Sequence, residues 1–464
     1  MLFKLSGGLV CLLVCPSFYD GKGKPAFRCI IAYYHQSTKL PTNKTTKQQT
    51  MKHIIILGDG MADKAIAKLG GKTPLQYAKT PYMDLLAKTG RTGRLVTVPE
   101  GYSPGSEVAN TAILGYDLDK VYEGRGPLEA ASIGYEMKAD DLALRCNIIS
   151  VRQDGTIKTH NGGNLTTSEA KPLIELLNEK LGNERVKWIC GIQYRHLLII
   201  KGGSKHIVCA PPHDHPNEAW RPLLVRPEEG WEDKREKGRL SAKETADLLN
   251  DLIVRSVDVL SQAPLNIERK KEEKDLANII WPWSGGYRPA MQTLSEQFPE
   301  IKSGAVVSAV DLIRGIGHYA GLDIINVEGA TGLWDTNYEG KTKAALENLK
   351  NKDFVFLHVE ASDEAGHDGD VDLKVKTIEN LDARMIGPIY EEVKTWSEPV
   401  CIAILPDHFT PVELRIHVGE PVPFIIWYPG IVPDEVERYD EISCVTGGYG
   451  LLRLRQFMEV LMQY

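Results

Sequence analysis

From Met51 onwards, short runs of apolar residues alternate with amphipathic stretches, which is the pattern of a parallel sheet covered by helices. A helix is predicted to begin at Pro81 with Thr80 as its N-cap, because proline is favoured at the first helical position. We therefore predict an α/β fold with a parallel sheet flanked by helices. Its predicted strands are residues 53–57, 305–310, 323–327, 354–359 and 400–405.

The middle of the chain has a different pattern, with shorter strands and a long charged stretch. Strands are predicted at residues 142–150, 197–200 and 206–210, and an amphipathic helix at 242–260. Because strands of the first sheet lie on both sides of this region, residues 120–285 are predicted to form an inserted smaller α/β domain that acts as a lid. The core domain would then consist of residues 51–119 and 286–464.

The first 50 residues differ in pattern from the rest of the chain. An apolar run at residues 9–15 is much shorter than the roughly 20 residues of a membrane span, and the residues after it are polar and aperiodic. Met51 begins the first predicted strand and would be a natural start of the folded chain. We expect residues 1–50 to be a leader, or an extension upstream of the natural start, without ordered structure. No membrane partner is expected.

Composition and charge narrow the class of protein. The 464 residues are 42% hydrophobic and 25% charged, as in a soluble globular protein, and the net charge is −7. This charge disfavours a nucleic-acid partner, so an anionic substrate would need local cationic groups. The eight cysteines show no CxxC spacing, which favours free thiols in a reducing, cytoplasmic location. The oligomeric state is not indicated by the sequence.

Acidic residues and histidines follow two of the predicted strands directly. This is uncommon unless the side chains bind a ligand, most often a metal. Asp363 and His367 are four residues apart, so one helical turn would place them on the same face. Carboxylate and imidazole groups together are typical metal ligands. The pattern predicts a metal-dependent catalytic centre formed by Asp363 and His367 after the strand at 354–359, and by Asp407, His408 and His417 after the strand at 400–405.

Two further residues lie where strands or loops lead into helices. Asp59 follows the first strand between two glycines, at the sheet edge where open α/β folds bind ligands. Ser106 follows Pro104-Gly105 and precedes a helix-like run. Taken alone, Asp59 is equally compatible with a helix cap, and for Ser106 a cap is the usual interpretation. The alternative is a metal ligand for Asp59 and a nucleophile for Ser106, favoured by the helix dipole and an adjacent metal.

Several cationic and polar residues are candidates for anion binding. Thr331 follows the strand at 323–327 and Lys341 comes shortly after it, although a turn threonine and a solvated helix lysine are the simpler interpretations. Arg314 lies in the core segment. The predicted insertion contains Arg145 and His160, and also Arg125, Arg152 and Arg195.

Taken together, these motifs resemble one family, the archaeal-type cofactor-independent (2,3-bisphosphoglycerate-independent) phosphoglycerate mutases of the alkaline phosphatase superfamily. The resemblance extends from Met51 to Tyr464, with Phe409 and Ser362 at positions where that family commonly has serine and proline. The motifs are Gly58-Asp59-Gly60, residues 104–110, Leu144-Arg145-Cys146-Asn147, residues 329–332, residues 360–370, and Asp407-His408 with His417.

The resemblance implies two divalent metal ions and no 2,3-bisphosphoglycerate. One ion would be held by Asp363, His367 and His417, and the other by Asp59, Asp407 and His408, with Ser106 as nucleophile and additional ligand. Mn²⁺ is expected first, with Zn²⁺, Co²⁺ or Mg²⁺ as alternatives.

The implied reaction is the interconversion of 3- and 2-phosphoglycerate, a small phosphorylated hydroxy acid, through a phosphoserine at Ser106. Arg145, Lys341, Arg314, Thr331 and His160 would bind the substrate. Two other functions stay open: a homoserine kinase-like phosphotransferase, as proposed for a bacterial branch that this sequence resembles, and a non-catalytic metal- or phosphate-binding protein. No Walker-type nucleotide loop is present.

Overall fold

The structure is a computed structural model that describes residues 51–463, together with the backbone of four short strands before them. These strands form two antiparallel pairs, β1 (Leu2–Leu5) with β2 (Leu9–Leu12), and β3 (Phe18–Tyr19) with β4 (Pro25–Ala26). The rest of the first 50 residues lies outside the described part. The prediction of a leader or extension over residues 1–50 therefore stays a prediction.

Fifteen further strands follow in the described chain. They are β5 (Lys52–Gly58), β6 (Arg91–Val96), β7 (Asp141–Val151), β8 (Ile157–Thr159), β9 (Val186–Ile192), β10 (Arg195–Lys201), β11 (Ile207–Val208), β12 (Arg226–Pro227), β13 (Ile279–Gly286), β14 (Gly304–Val307), β15 (Asp323–Ile325), β16 (Phe354–Val359), β17 (Val400–Leu405), β18 (Val422–Trp427) and β19 (Leu451–Arg453).

The α-helices of the described residues are α1 (Pro74–Tyr77), α2 (Pro81–Thr89), α3 (Ser106–Ile113), α4 (Leu118–Val121), α5 (Arg125–Ser132), α6 (Thr167–Leu181), α7 (Ala242–Ser261), α8 (Pro264–Lys271), α9 (Leu294–Gln297), α10 (Asp311–Tyr319), α11 (Tyr338–Asn351), α12 (Ala361–Asp368), α13 (Val371–Leu381), α14 (Gly387–Val393) and α15 (Gln456–Leu461). Short 3₁₀ turns occur at Ala67–Leu69, Pro212–Asp214, Arg221–Leu223 and Ser443–Thr446, and a π-helical turn at Asp382–Ile386.

The larger sheet has eight strands in the order β15-β14-β16-β5-β17-β18-β6-β19. The five strands from β15 to β17 are parallel, which confirms the predicted α/β fold with a parallel-rich sheet. The sheet is not parallel throughout, because β18 runs antiparallel to both of its neighbours. The parallel strands end at one common edge of the sheet, where the chain after β5, β16 and β17 carries the predicted ligands.

Helices cover both faces of this sheet. Successive residues of a strand point to opposite sides, so each strand contributes side chains to both faces. In β5, Ile54 and Ile56 pack with residues of α2, α11 and α13, whereas Ile55 and Leu57 pack with residues of α3, α10 and α15. All four side chains are fully buried. The central strand is therefore rigidly held just before Asp59.

A second sheet lies between the two halves of the first in sequence. It has the order β13-β7-β10-β9, with β8 paired to β7, and its pairings are antiparallel. Leu142, Leu144 and Ile148 of β7 pack in a separate core with residues of α6 and α7. This arrangement is compatible with an inserted domain at residues 120–285; the boundaries and the lid function stay predictions.

Among the described residues, no helix is both long and apolar enough to cross a membrane.

Candidate metal centre and nucleophile

Ser106 is the first residue of α3, and its hydroxyl points to the end of β17. The N-cap of this helix is Gly105, whose extended backbone (φ −175°, ψ 151°) makes the turn from the loop. Ser106 therefore does not act as the cap. Its Oγ lies 3.2 Å from Nε2 of His408. A hydroxyl at this position lies at the positive end of the helix dipole, which favours its anionic form.

Asn110, one turn further along α3, connects the nucleophile candidate to Asp407. Its Nδ2 donates hydrogen bonds to the carbonyl oxygen of Ser106 (2.8 Å) and to Oδ2 of Asp407 (3.0 Å). The other oxygen of Asp407 accepts from the backbone N–H of Gly60 (3.0 Å) and of His408 (2.9 Å). Asp407 thus fixes α3 against the ends of β5 and β17.

One group of potential ligands consists of Asp363, His367 and His417. The Nε2 atoms of the two histidines are 2.8 Å apart, and Oδ2 of Asp363 lies 3.2 Å from His367 Nε2. His367 Nδ1 donates to the carbonyl oxygen of Arg415 (3.0 Å), which fixes the ring. The contact with Asp363 raises the pKa of His367 to about 9. Three ligand atoms that converge in this way can hold one metal ion.

A second group consists of Asp59, Asp363 and His408, which are all buried. Nε2 of His408 lies 3.6 Å from Oδ1 of Asp59 and 3.4 Å from Oδ2 of Asp407. Asp407 is therefore adjacent to this group, although its ligand atoms are not among those that converge. Asp363 belongs to both groups; within the first group, its Oδ2 lies 3.2 Å from Nε2 of His367 and its Oδ1 lies 3.4 Å from Nε2 of His417.

Thr410 determines which nitrogen of His408 can accept a metal ion. Its hydroxyl donates to Oδ1 of Asp363, so its oxygen accepts from Nδ1 of His408 at 3.2 Å. The proton of the neutral ring is then on Nδ1, and Nε2 presents its lone pair to Ser106 and Asp59. Burial lowers the pKa of His408 and keeps this ring neutral. Neutral imidazole is the form that binds a metal.

Asp59 supports the assignment of a cation site. The residue is fully buried, its Oδ2 lies 2.8 Å from Nε2 of His358, and its Oδ1 has no hydrogen-bond partner among the described residues. Burial and then the neighbouring carboxylates of Asp407 and Asp363 raise the pKa of Asp59 well above its usual value. A buried carboxylate oxygen without a donor is costly unless a cation neutralises it, so the residues present fit a divalent ion.

The ligand types also fit the expected metals. Three carboxylates (Asp59, Asp363 and Asp407) and three imidazoles (His367, His408 and His417) make a mixed oxygen and nitrogen set. Such a set suits Mn²⁺, Zn²⁺ or Co²⁺ better than Ca²⁺, which prefers oxygen ligands alone.

Next to Ser106, Glu107 and Arg125 form a bidentate ion pair. Nε and Nη2 of Arg125 donate to the two carboxylate oxygens of Glu107 at 3.0 and 3.1 Å. Although burial opposes it, the guanidinium holds the pKa of Glu107 below its usual value. The pair connects the first turns of α3 and α5, and so joins the serine helix to the segment that leads into the second sheet.

Lys341 and Thr331 lie together near the end of β16. Nζ of Lys341 is 3.4 Å from the carbonyl oxygens of both Thr331 and His358, and the side chain is buried. Burial lowers the pKa of Lys341 to about 8, and burial raises the pKa of the nearby Glu360 to about 8. Lys341 is therefore a buried cation, in contrast to the solvated lysine of the simpler interpretation.

In the described part of the chain, the other three predicted substrate residues make no hydrogen bond or ion pair with Ser106 or with either ligand group. Nη1 of Arg145 contacts Oε1 of Glu129 (3.1 Å), and Arg314 donates to Oδ1 of Asn326 (2.9 Å). His160 stacks edge-on against Tyr194 and His213. A role of these residues in substrate binding stays a prediction.

Sequence reasoning assigned no role to His358, Thr410 or Asn110. The four-residue spacing of Ser106 and Asn110 on a helix-like run was a signal that they share a face. A histidine inside the apolar strand 354–359 was a signal of a buried polar contact. Thr410 offered no such signal, because its hydrogen bonds depend on how β17 and α12 pack.

Comparison with known proteins identifies the family. The family model of the 2,3-bisphosphoglycerate-independent phosphoglycerate mutases matches residues 87–266. A relative with the same name from Methanosarcina barkeri is 45% identical over 415 residues, which is 89% of this chain and 100% of the relative. Another from Thermococcus kodakarensis is 38% identical over 89% of this chain and 96% of its own length.

Solved structures agree with this result. A protein from Pyrococcus horikoshii superimposes with a TM-score of 0.74 at 32% identity, covering 89% of this chain and 97% of its own. A cofactor-independent phosphoglycerate mutase from Thermoplasma acidophilum gives a TM-score of 0.62 at 25% identity, covering 89% and 99% of the two chains. The chain belongs to the 2,3-bisphosphoglycerate-independent phosphoglycerate mutase family.

Proposed function

We propose that this member of the 2,3-bisphosphoglycerate-independent phosphoglycerate mutase family interconverts 3- and 2-phosphoglycerate through a phosphoserine at Ser106. The observation that carries the proposal is the position of Ser106. Its Oγ lies at the start of α3, 3.2 Å from the unprotonated Nε2 of His408, beside two groups of metal-ligand side chains. The family membership supports the choice of substrate.

Two divalent ions would bind in this centre, one at Asp363, His367 and His417 and the other at Asp59, Asp407 and His408 together with Ser106. Asp363 also converges with Asp59 and His408 and is therefore available to the second ion. When bound, they would lower the pKa of the serine hydroxyl and neutralise charge on the transferred phosphoryl group. Mn²⁺ is the first choice, with Zn²⁺, Co²⁺ or Mg²⁺ as alternatives, and no 2,3-bisphosphoglycerate is needed.

The reaction consists of two displacements at phosphorus. Oγ of Ser106 loses its proton and forms a bond to phosphorus, while the bond from phosphorus to the 3-oxygen of glycerate breaks and that oxygen gains a proton. Glycerate then turns within the site. Its 2-hydroxyl loses a proton and attacks the phosphoserine, which restores Ser106 and releases 2-phosphoglycerate. The backbone N–H groups at the start of α3 stabilise the anionic serine oxygen.

Lys341 would bind the carboxylate or phosphate of the substrate. Its pKa of about 8 leaves it mainly positively charged at pH 7. Because it is buried, an ion pair with the substrate is only weakly screened by solvent. Arg145, Arg314, Thr331 and His160 are the remaining proposed substrate residues.

The insertion would act as the lid that retains glycerate. Glu360 and Glu364, which flank the ligand Asp363 in sequence, experience the charge of Arg195 from the second sheet. The positive charge of Arg195 supports closure of the insertion over these acidic side chains. Exclusion of water would prevent hydrolysis of the phosphoserine before glycerate has turned.

A cytoplasmic location is also part of the proposal. Five cysteines of the described residues, at positions 146, 190, 209, 401 and 444, are free thiols, and a reducing compartment keeps thiols in this form.

The test is a coupled assay for 2-phosphoglycerate with Mn²⁺ and 3-phosphoglycerate, in the absence of 2,3-bisphosphoglycerate. We expect conversion by the wild type, loss of conversion in Ser106→Ala, and retention in Ser103→Ala, a serine of the same loop. A folded, Mn²⁺-loaded wild type that makes no 2-phosphoglycerate would contradict the proposal. ATP and homoserine in a parallel reaction test the kinase alternative directly.

A further inference from the structure

His358 lies in the middle of the larger sheet and contacts the ligand Asp59. The residue belongs to β16, between β14 and β5, and its side chain is fully buried. Nε2 lies 2.8 Å from Oδ2 of Asp59, and Nδ1 lies 3.1 Å from Oγ of Ser308. The ring thus connects the end of β14 to the end of β5, where the candidate cation site begins.

The hydrogen bonds determine where the proton of this ring lies. The backbone N–H of Val310 donates to Oγ of Ser308 at 3.0 Å, which leaves the hydroxyl proton of Ser308 available for donation to Nδ1 of His358 at 3.1 Å. A carboxyl group must be ionised to bind a metal, and in that form Asp59 only accepts. Nε2 therefore carries the proton and donates it to Oδ2 of Asp59.

Because Oδ2 of Asp59 accepts this hydrogen bond, the direction of the other carboxylate oxygen, Oδ1, is fixed as well. Oδ1 has no hydrogen-bond partner among the described residues and lies 3.6 Å from Nε2 of His408. The backbone of Asp59 is held as well, because the hydroxyl of Ser362 donates to its carbonyl oxygen at 2.6 Å. With the backbone and Oδ2 both fixed, Oδ1 cannot rotate away from the space between Asp59 and His408.

We propose that His358, oriented by Ser308, is the positioning residue that fixes Asp59 for metal binding and is not itself a ligand. The inference rests on the proposed function, since it assigns a role at the same metal centre. A ligand whose orientation is set by a second hydrogen bond binds its metal more tightly, and loss of such a partner typically weakens affinity about 10- to 100-fold.

A purely structural role for His358 makes a different prediction. A buried polar side chain needs hydrogen-bond partners at any position in the sheet, so replacing it would lower the stability of the fold. It would not change the affinity for Mn²⁺. Metal affinity, measured on folded protein, therefore separates the two roles.

The test compares His358→Gln with His358→Asn by titration calorimetry with Mn²⁺ on the full chain. The amide nitrogen of glutamine reaches the place of Nε2 and can still donate to Asp59, whereas that of asparagine reaches only the place of Nδ1. We expect the asparagine variant to bind one of its two ions about 10- to 100-fold more weakly, and the glutamine variant to retain most of the affinity.

The matched control is His53→Asn. His53 is also a buried histidine of this sheet, at the opposite end of β5, and its replacement is expected to leave Mn²⁺ affinity unchanged. Wild-type affinity for both ions in His358→Asn would overturn the inference. If that variant does not fold, Ser308→Ala serves as the test instead, because loss of the hydroxyl removes the donor to Nδ1 of His358. Weaker Mn²⁺ binding in Ser308→Ala supports the inference, and unchanged binding overturns it.

These outcomes are distinct from failure of the proposed function. A wild type that binds two Mn²⁺ ions but does not isomerise 3-phosphoglycerate would contradict the mutase reaction and leave the role of His358 to be judged from affinity. A wild type that isomerises the substrate, with unaltered Mn²⁺ binding in His358→Asn, would contradict the role of His358 alone.

Discussion

At the scale of single residues, the centre depends on where a few protons lie. The hydroxyl of Thr410 donates to Asp363 and accepts from His408, so one threonine sets the direction of a carboxylate and the tautomer of an imidazole. These two residues contribute to one of the convergent ligand groups. Thr410 is therefore expected to control metal affinity without binding metal itself.

Replacement of Thr410 by valine tests this role. Valine has nearly the same shape but has no hydroxyl, so His408 would no longer be held with its proton on Nδ1. We expect Mn²⁺ affinity to fall about tenfold or more, as measured by titration calorimetry. Thr446→Val, which removes an exposed hydroxyl far along the chain, serves as control and should bind Mn²⁺ normally. Equal affinity in the two variants would refute the role of Thr410.

Lys341 gives a prediction about pH. Its pKa is lowered to about 8 by burial, so the side chain is charged below pH 8 and loses its proton above it. Binding of an anionic substrate should therefore weaken as pH rises from 7 to 9. With saturating Mn²⁺, we expect KM for 3-phosphoglycerate to increase over this range, and to be high and nearly independent of pH in Lys341→Met. Lys343→Met, an exposed lysine of the same helix, should show the wild-type profile. A wild-type KM that stays constant up to pH 9 would exclude this role of Lys341.

At the scale of elements, helix α13 is joined to the metal centre by a buried ion pair. Nζ of Lys374 lies 2.8 Å from Oδ2 of Asp63 and also donates to the carbonyl oxygen of Thr410 at 2.7 Å. Both charged side chains are almost completely buried. The pair therefore holds the loop after β17, which carries His408 and Thr410, against the turn after β5.

Lys374→Met should destabilise the fold, since it leaves the carboxylate of Asp63 buried without its partner. Breaking one side of a buried pair typically costs about 3–5 kcal/mol, and we expect a loss of this size in the free energy of unfolding, measured by urea denaturation. The double variant Asp63→Asn/Lys374→Met removes the unpaired charge and should recover part of the loss. A double variant no more stable than Lys374→Met would contradict this explanation.

The order of the elements could be predicted from the sequence more accurately than their ends. The apolar runs at 354–359 and 400–405 correspond to β16 and β17 as predicted. Strand β14 was predicted to reach residue 310 but ends at Val307. The difference has a physical cause, because Ser308 turns its hydroxyl to Val310 and His358 instead of continuing the ladder.

At the scale of the whole molecule, Arg195 of the second sheet is a candidate electrostatic link to the ligand groups. This residue begins β10, and its charge acts on Glu360 and Glu364 next to Asp363. If the insertion is a lid, attraction between Arg195 and these two carboxylates would help to hold it over the site.

Arg195→Ala removes this attraction and should admit water to the phosphoserine. We expect the ratio of isomerisation to phosphate release to fall, because hydrolysis then competes with rephosphorylation of glycerate. Released phosphate and 2-phosphoglycerate are measured in the same reaction, with Lys201→Ala, an exposed lysine at the other end of β10, as control. An unchanged ratio in Arg195→Ala would contradict the claim that Arg195 helps to close the site.

Local pattern explains why some of the centre could be predicted and some could not. Asp363, His367, Asp407 and His408 directly follow apolar strands, so their convergence at one sheet edge was foreseeable. The sharing of Asp363 between two ligand groups depends on side-chain rotation. The position of Arg145 beside Glu129 depends on how the second sheet meets α5. Neither relation can be predicted from the linear sequence.

The central claim is that Ser106 carries the phosphoryl group during turnover. The most direct measurement is rapid acid quenching of the Mn²⁺-loaded protein during reaction with 3-phosphoglycerate, followed by mass spectrometry of the peptide that contains Ser106. We predict a phosphoryl group on Ser106 that appears before 2-phosphoglycerate and is absent from Ser106→Ala. Rapid conversion to 2-phosphoglycerate by a Ser106→Ala variant, with the phosphoryl group found on another residue or on none, would contradict the account.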